Sequence, residues 1–268
     1  MRARRRDDAL RRGINPRDVD LLLSDLLGKS LSYLYAHGEL MVDPARLDAQ
    51  LARRFAGVPL QYIRGHAEFY SRDFVVDPRV LIPRPETELL VEAALERAPR
   101  DGRVIDIGTG SGCIAITIER ERPDLSVLSV DRSVNALAVA YRNRVRLESR
   151  VNLAASDLMS GVCGTFDLIV SNPPYVPFAE YEQLDVEVRI HEPRMALTPG
   201  PSGMEIIERI LDESHARLAP RGSIILEVGY GQEEAIRALA AQKRWRVEAF
   251  LPDLAGIPRV VVLSGHGE

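Results

Sequence analysis

Asn172-Pro173-Pro174-Tyr175 directly follows the apolar run Phe166–Ser171. Two successive prolines fix φ and remove two backbone donors, so the segment presents carbonyl acceptors with few donors to compete for them. Asn172 adds a side-chain carbonyl, and Tyr175 adds a flat face and a hydroxyl. Such a set fits a planar NH₂ group, whose two protons need acceptors and whose π-system needs a ring to lie on. Asn172, Pro173 and Tyr175 are therefore candidate catalytic residues, and with Pro174 they form the candidate substrate-binding element. The plainer alternative, a rigid proline turn with a capping asparagine, is outweighed by the position of the tetrapeptide after a strand, where open α/β sheets bind their ligands.

A second set lies in "VIDIGTGSGCIAI", where Asp106 precedes glycines at 108, 110 and 112 and then an apolar helical run. Glycines let the backbone turn sharply and let a ligand lie against bare amides at the helix N-terminus. Three at alternate positions exceed the needs of a plain turn. Asp106, Gly108, Thr109, Gly110, Ser111 and Gly112 are read as cofactor-binding. A nicotinamide fingerprint would want glycine where Cys113 stands, and a carboxylate at Asp106 would repel a pyrophosphate. It suits an amino group instead, such as the amino-acid tail of S-adenosylmethionine. Asp131 ends the next strand, where its carboxylate can accept both hydroxyls of an adenosine ribose or, alternatively, cap the following helix with Ser133. Asp157 and Leu158 close a third strand, where an adenine would be edged by a polar group and packed by an apolar one; a loop acid over a core leucine is the other reading. Asn172 is counted with this cofactor set as well.

The elements that must position these residues alternate strictly after Asp101-Gly102. Strands are expected at Arg103–Ile107, Ser126–Val130, Val151–Ala155, Phe166–Ser171, Ser223–Gly229, Trp245–Leu251 and Arg259–Ser264, with helices at Gly112–Glu121, Ser133–Glu148, Ser202–Leu218 and Gln232–Gln242. The fold class is α/β: a seven-stranded, doubly wound, Rossmann-like sheet. The last two strands are joined only by "PDLAGIP", too short for a parallel crossover, so the final strand should be reversed. Ahead of this, Arg17–Phe55 carries leucines at helical spacing, with Asp43-Pro44 starting a new helix. The stretch from Pro59 to Pro85 reads as a β-hairpin connector better than as a helix, and Glu86–Arg97 reads as an amphipathic helix. Glu86 and Glu88 stand at that helix's N-terminus, where acids are favoured without any ligand.

Composition limits the function classes. Apolar residues make up 46% and charged residues 28%, so disordered and low-complexity architectures are excluded. The net charge of −4 conceals an Arg-rich start: seven arginines against Asp7 and Asp8 in the first 17 residues leave 28 basic and 37 acidic residues, or −9, in the rest. An acidic body argues against general affinity for nucleic acid. Residues 1–12 show no hydrophobic face to dock and are expected to be dispensable for activity. Cys113 and Cys163 lack the spacing of a zinc site or a disulfide framework, and His37, His66, His191, His215 and His266 show no metal spacing, so no metal is expected. Without a signal-peptide core or a long apolar run, a cytoplasmic and membrane-free protein is expected; a monomer is expected as well.

The glycine loop, Asp131 and Asn172–Tyr175 resemble the class I S-adenosylmethionine-dependent methyltransferases that modify planar nitrogen. With "PLQYIRGHAEFY", "VLIPRPETE" and "DLAGIPRVV", the match over about Val19 to Leu263 more closely resembles the peptide chain release factor N5-glutamine methyltransferase family. The resemblance implies S-adenosyl-L-methionine as cofactor and methylation of the glutamine in the Gly-Gly-Gln loop of release factors, a protein substrate used in translation termination. It also implies an N-terminal helical recognition domain (1–72), a hairpin and helix connector (73–100) and a methyltransferase domain (101–268). A ribosomal-protein glutamine is the close alternative, and a nucleic-acid exocyclic amine a more distant one. A binding module on a retained cofactor fold is disfavoured by the intact loop and tetrapeptide.

Overall fold

The computed structural model describes residues 2–37 and 42–265. Residues 38–41 of the expected helical stretch, Met1 of the Arg-rich start and His266 lie outside the described residues. In chain order the elements are α1 (Arg2–Arg11), α2 (Pro16–Leu27), α3 (Leu31–Ala36), α4 (Pro44–Phe55), α5 (Leu60–Arg64), β1 (His66–Phe69), β2 (Arg72–Val75) and α6 (Glu88–Arg97). There follow β3 (Arg103–Ile107), α7 (Cys113–Glu121), β4 (Ser126–Asp131), α8 (Val134–Arg146), β5 (Asn152–Ala155), β6 (Phe166–Ser171), α9 (Phe178–Tyr181) and α10 (Val186–His191). The chain closes with α11 (Glu205–Ser214), β7 (Leu218–Glu227), α12 (Glu233–Gln242), β8 (Trp245–Pro252) and β9 (Pro258–Gly265). Two compact units result, Met1–His66 with Asp185–His191, and Ala67–Leu184 with Glu192–Glu268.

The first unit is helical. Asn15 caps α2 by accepting from the Arg17 amide, Pro16 holds its first turn and Gly28 ends it; Asp43 and Pro44 start α4 in the same way. The apolar stripes of these helices meet in a core of Val19, Leu22, Leu23, Leu34, Leu47, Leu51 and Ile63. The Arg-rich start is not the undocked arm expected from its sequence. It forms α1, buries Ala9 and is held by ion pairs: Asp20, itself buried, accepts from Arg2 Nε at 2.7 Å and Arg6 Nη1 at 2.8 Å, and Arg5 meets Asp48 at 2.6 Å. Arg12 lies over the Phe55 ring. An apolar-stripe criterion overlooks such a helix because charge, not leucine, attaches it. The hairpin expected between Pro59 and Pro85 is also partly revised, since Pro59 starts the short helix α5 and Gly65 ends it in the left-handed region before β1 and β2 pair.

The second unit is the seven-stranded sheet, in the order β5-β4-β3-β6-β7-β9-β8. Five strands run parallel through β3–β4, β4–β5, β3–β6 and β6–β7, while β9 lies antiparallel between β7 and β8. Alternate residues of each strand feed two cores: Val104, Leu168 and Ile225 face α6 and α7, while Ile105, Ile169 and Ile224 face α11 and α12. The chain winds outward from β3 through β4 to β5, then returns to β6 on the other side of β3. The gap beyond the carboxyl ends of β3 and β6 is therefore the topological switch point. The helices are trimmed at their ends, most of all the one expected at Ser202–Leu218: α11 covers Glu205–Ser214 and stops there because Leu218 already pairs with Phe166. No helix among the described residues is long and apolar enough to cross a membrane.

Deleting residues 1–12 removes two of the partners of Asp20 and uncovers α2. The truncated chain should unfold at a lower denaturant midpoint, by more than the roughly 0.5 kcal/mol of a neutral surface change; an unchanged midpoint in a urea titration would return the segment to an inert arm.

Candidate active site

The glycine loop leaves β3 at its carboxyl end. Gly108, Gly110 and Gly112 all lie in the left-handed region, with φ of 78°, 54° and 84°, so the alternate spacing is a backbone requirement. A side chain at Gly112 would strike Ile116 and Ala140, whereas the space beside Gly108 and Gly110 is open. The loop is fastened to β4 by the amides of Gly108 and Thr109, which both donate to the Val130 carbonyl.

Asp131, at the end of β4, accepts from the Gly110 amide through Oδ2 at 2.9 Å and from the Ser133 amide through Oδ1 at 2.8 Å. The capping reading of this residue is seen in the bond to Ser133, which turns the chain into α8, and the bond to Gly110 holds the glycine loop at the crevice edge. Burial pushes its carboxyl upward, against these two amides. Asp106 is fully buried in β3, two residues ahead of Gly108. Ser129 Oγ donates to its Oδ2 at 2.8 Å, while Oδ1 finds no partner among the described residues. Burial pushes this carboxyl up to about 6, opposed by the neighbouring hydroxyls. Asp157 pairs with Arg209 of α11 at 3.0 Å. Leu158, beside it, is held at φ 51°, an uncommon conformation for a leucine and one that clusters at ligand sites.

Asn172 leaves β6, which is neighbour to β3, and Ser171 ties the two strand ends together by donating to the Ile107 carbonyl at 2.6 Å. The Asn172 carboxamide donates through Nδ2 to Thr87 Oγ1 at 3.1 Å. Thr87 donates in turn to Glu227 Oε2 at 2.6 Å, and Tyr175 donates its hydroxyl to Glu227 Oε1 at 3.3 Å. Gln232 fixes the Tyr175 carbonyl at 3.0 Å, and Gly203 passes so close to that carbonyl that no side chain would fit. Glu227, 2% exposed, has its carboxyl pushed up to about 7, chiefly by burial. Burial and Glu227 together push the Tyr175 hydroxyl upward.

One cavity gathers most of the expected residues: Gly108, Thr109, Gly110, Ser111, Asp131, Asp157, Leu158, Asn172, Pro173 and Pro174 all line it. Asp106, Gly112 and Tyr175 are not in its lining. The cavity fits the cofactor implied by the sequence in two respects. The space beside Gly108 and Gly110 is open, so a ligand would lie close against the backbone there, and the buried acceptor Asp106 Oδ1, on the strand that leads into the loop, has no partner among the described residues. The sequence reading missed Thr87, Arg84, Met195 and Thr198 in the lining and Glu227 behind it. Glu227 ends β7 as Asp131 ends β4, and an acid at the carboxyl end of an apolar strand is a signal that would have found it. Glu88, left out of the site, does structural work: it accepts from the Tyr70 amide at 2.8 Å. Among the described residues no group of three His, Cys, Asp or Glu side chains could hold a metal ion.

Because the folded Asp106 carboxyl holds its proton up to about pH 6, against an ordinary value near ~3.9, the native state binds more protons than the unfolded chain between these limits. This residue's contribution is therefore most favourable below about pH 4 and declines as pH rises through that window. Asp106→Asn should raise stability of the ligand-free protein at pH 7.5, by up to about 3 kcal/mol, and flatten the slope below it. Denaturant titrations across pH check this, and an unaltered slope would contradict it.

Comparisons with known proteins place the chain in a family. The family model "Methyltransferase small domain" matches residues 85–202, and the "PrmC N-terminal domain" matches residues 8–65. The chain is 46% identical over 251 residues to the release factor glutamine methyltransferase of Koribacter versatilis, covering 91% of this chain and 89% of that protein. It is 42% identical over 248 residues to the protein of the same name from Geobacter sulfurreducens, covering 91% and 87%. Among solved structures, a methyltransferase from Pyrococcus furiosus shares the fold at a TM-score of 0.56 and 20% identity, covering 82% of this chain and 95% of that one.

Proposed function

The chain belongs to the release factor glutamine methyltransferase family, and from that premise we propose that its crevice methylates the side-chain amide nitrogen, N5, of the glutamine in the Gly-Gly-Gln motif of peptide chain release factors. The observation that carries the reading is the Asn172 carboxamide at the switch point, its nitrogen committed to Thr87 and its oxygen left for a substrate N–H. An exocyclic amine of a nucleic acid would meet the same acceptors, but the relatives that cover nine-tenths of this chain carry the glutamine activity in their names.

S-adenosylmethionine is the cofactor, and when bound it supplies an electrophilic sulfonium methyl. Gly108–Ser111 and Asp131 would hold its amino-acid tail and ribose, Asp106 would sit beneath the tail, and Asp157 and Leu158 would border the adenine. An amide nitrogen is a poor nucleophile because its lone pair is delocalised into the carbonyl. Asn172 Oδ1 and the Pro173 carbonyl would accept its two N–H bonds, fix its plane and direction, and favour the positive charge that develops on nitrogen. Tyr175, expected to lie against the substrate, is assigned a supporting role instead: its hydroxyl and carbonyl tie the tetrapeptide to Glu227 and Gln232. The helical unit is proposed to grip the release factor. A cytoplasmic reaction follows from such a substrate, and the two free cysteines, Cys113 and Cys163, suit a reducing compartment.

Asn172→Ala removes one preorganised acceptor, a change that typically costs on the order of 10²–10³ in rate, while S-adenosylmethionine affinity should fall far less. The protein is incubated with S-adenosylmethionine and purified release factor, and the Gly-Gly-Gln peptide is examined by mass spectrometry for one added methyl. A wild type that labels only a ribosomal protein or a nucleic acid would overturn the substrate; full rate in Asn172→Ala would overturn the role of Asn172.

A further inference from the structure

Thr87 has a single hydroxyl proton, and Glu227 Oε2 receives it at 2.6 Å. A hydroxyl that has donated to a carboxylate can only accept from its remaining neighbour. That neighbour is the Asn172 carboxamide, 3.1 Å away, so its NH₂ end must face Thr87. Tyr175 donates to the second oxygen of Glu227, which keeps that carboxylate an acceptor on both sides. Thr87 and Glu227 are both about 2% exposed, so bulk water cannot stand in for either.

We propose that Thr87 and Glu227 are positioning residues that set the sense of the Asn172 carboxamide, holding Oδ1 toward the substrate nitrogen. The proposal rests on the glutamine methyltransferase reading above. The two ends of a carboxamide are nearly equal in shape and opposite in hydrogen-bonding sense. Turned by half a rotation, Asn172 would set an NH₂ against the substrate NH₂ and the acceptor would be lost.

The same chain carries a pH dependence. The titratable and charged groups that face Glu227 are Glu86, from the turn that also bears Thr87, Cys113 at the start of α7, Tyr175 after β6, and Arg259 of β9. Burial and Glu86 raise the carboxyl to about 7, while the hydroxyls and Arg259 oppose the rise. A protonated Glu227 donates to Thr87, Thr87 then donates to Asn172, and the carboxamide turns its oxygen away from the substrate. Acid should therefore disarm the site without unfolding it.

Thr87→Val keeps the side-chain shape and removes the hydroxyl. Its kcat for release factor methylation should fall roughly tenfold, the worth of one hydrogen bond, with KM for the release factor and Kd for S-adenosylmethionine near wild type. Thr87→Ser should restore most of the rate. The wild-type kcat should decline as pH falls through about 7, and Glu227→Gln should lose that decline. Wild-type kcat in Thr87→Val, or Thr87→Ser as slow as Thr87→Val, overturns the proposal. If Thr87→Val fails to bind S-adenosylmethionine, Thr87→Ser and the Glu227→Gln pH profile decide in the same sense. Absence of release factor methylation by wild type would instead overturn the functional reading.

Discussion

Carboxylates taken out of water at the carboxyl edge of the parallel sheet set the conditions for the rest of this structure. Asp106 in β3 and Glu227 at the end of β7 are buried, and a buried carboxylate needs donors close by. The donors that answer are hydroxyls: Ser129 for Asp106, Thr87 and Tyr175 for Glu227. A hydroxyl that gives its proton in one direction is left able only to accept in the other. Through that rule the need of Glu227 for a proton donor becomes the orientation of Asn172, a residue it does not touch.

The fold brings these groups together by winding order. Asn172 and the glycine loop leave neighbouring strands, and Glu227 ends the next strand beyond β6. Thr87 reaches the same edge from ahead of the sheet, on the turn that leads into α6. The antiparallel insertion of β9 beside β7 also places Arg259 where it acts on Glu227. Stability and reactivity meet in this edge, because polar groups held without water are costly to fold and preorganised to act.

Much of this was legible in the amino-acid order. The strands of the sheet are short apolar runs with turn residues between them, and the reversed last strand follows from a connection too short to cross over. The glycine loop and Asn172–Tyr175 were legible because each packs its chemistry into adjacent positions. Thr87 and Glu227 were not, since their contact spans 140 positions and depends on burial that no local pattern encodes. The tetrapeptide shows that Tyr175 offers a ring and a hydroxyl but not which way they point, and its hydroxyl goes to Glu227. The helix α1 escaped for a related reason: Arg2, Arg5 and Arg6 attach it through Asp20 and Asp48, whereas periodicity reports only apolar stripes.

The central claim is that Asn172 presents its carbonyl oxygen, beside that of Pro173, to the nitrogen being methylated. A structure of the protein with S-adenosylhomocysteine and a Gly-Gly-Gln peptide tests it most directly. The glutamine nitrogen should lie about 3 Å from both Asn172 Oδ1 and the Pro173 carbonyl, with Thr87 still between Asn172 and Glu227. A glutamine amide seated elsewhere in the crevice, or an Asn172 side chain turned away from Thr87, would contradict it.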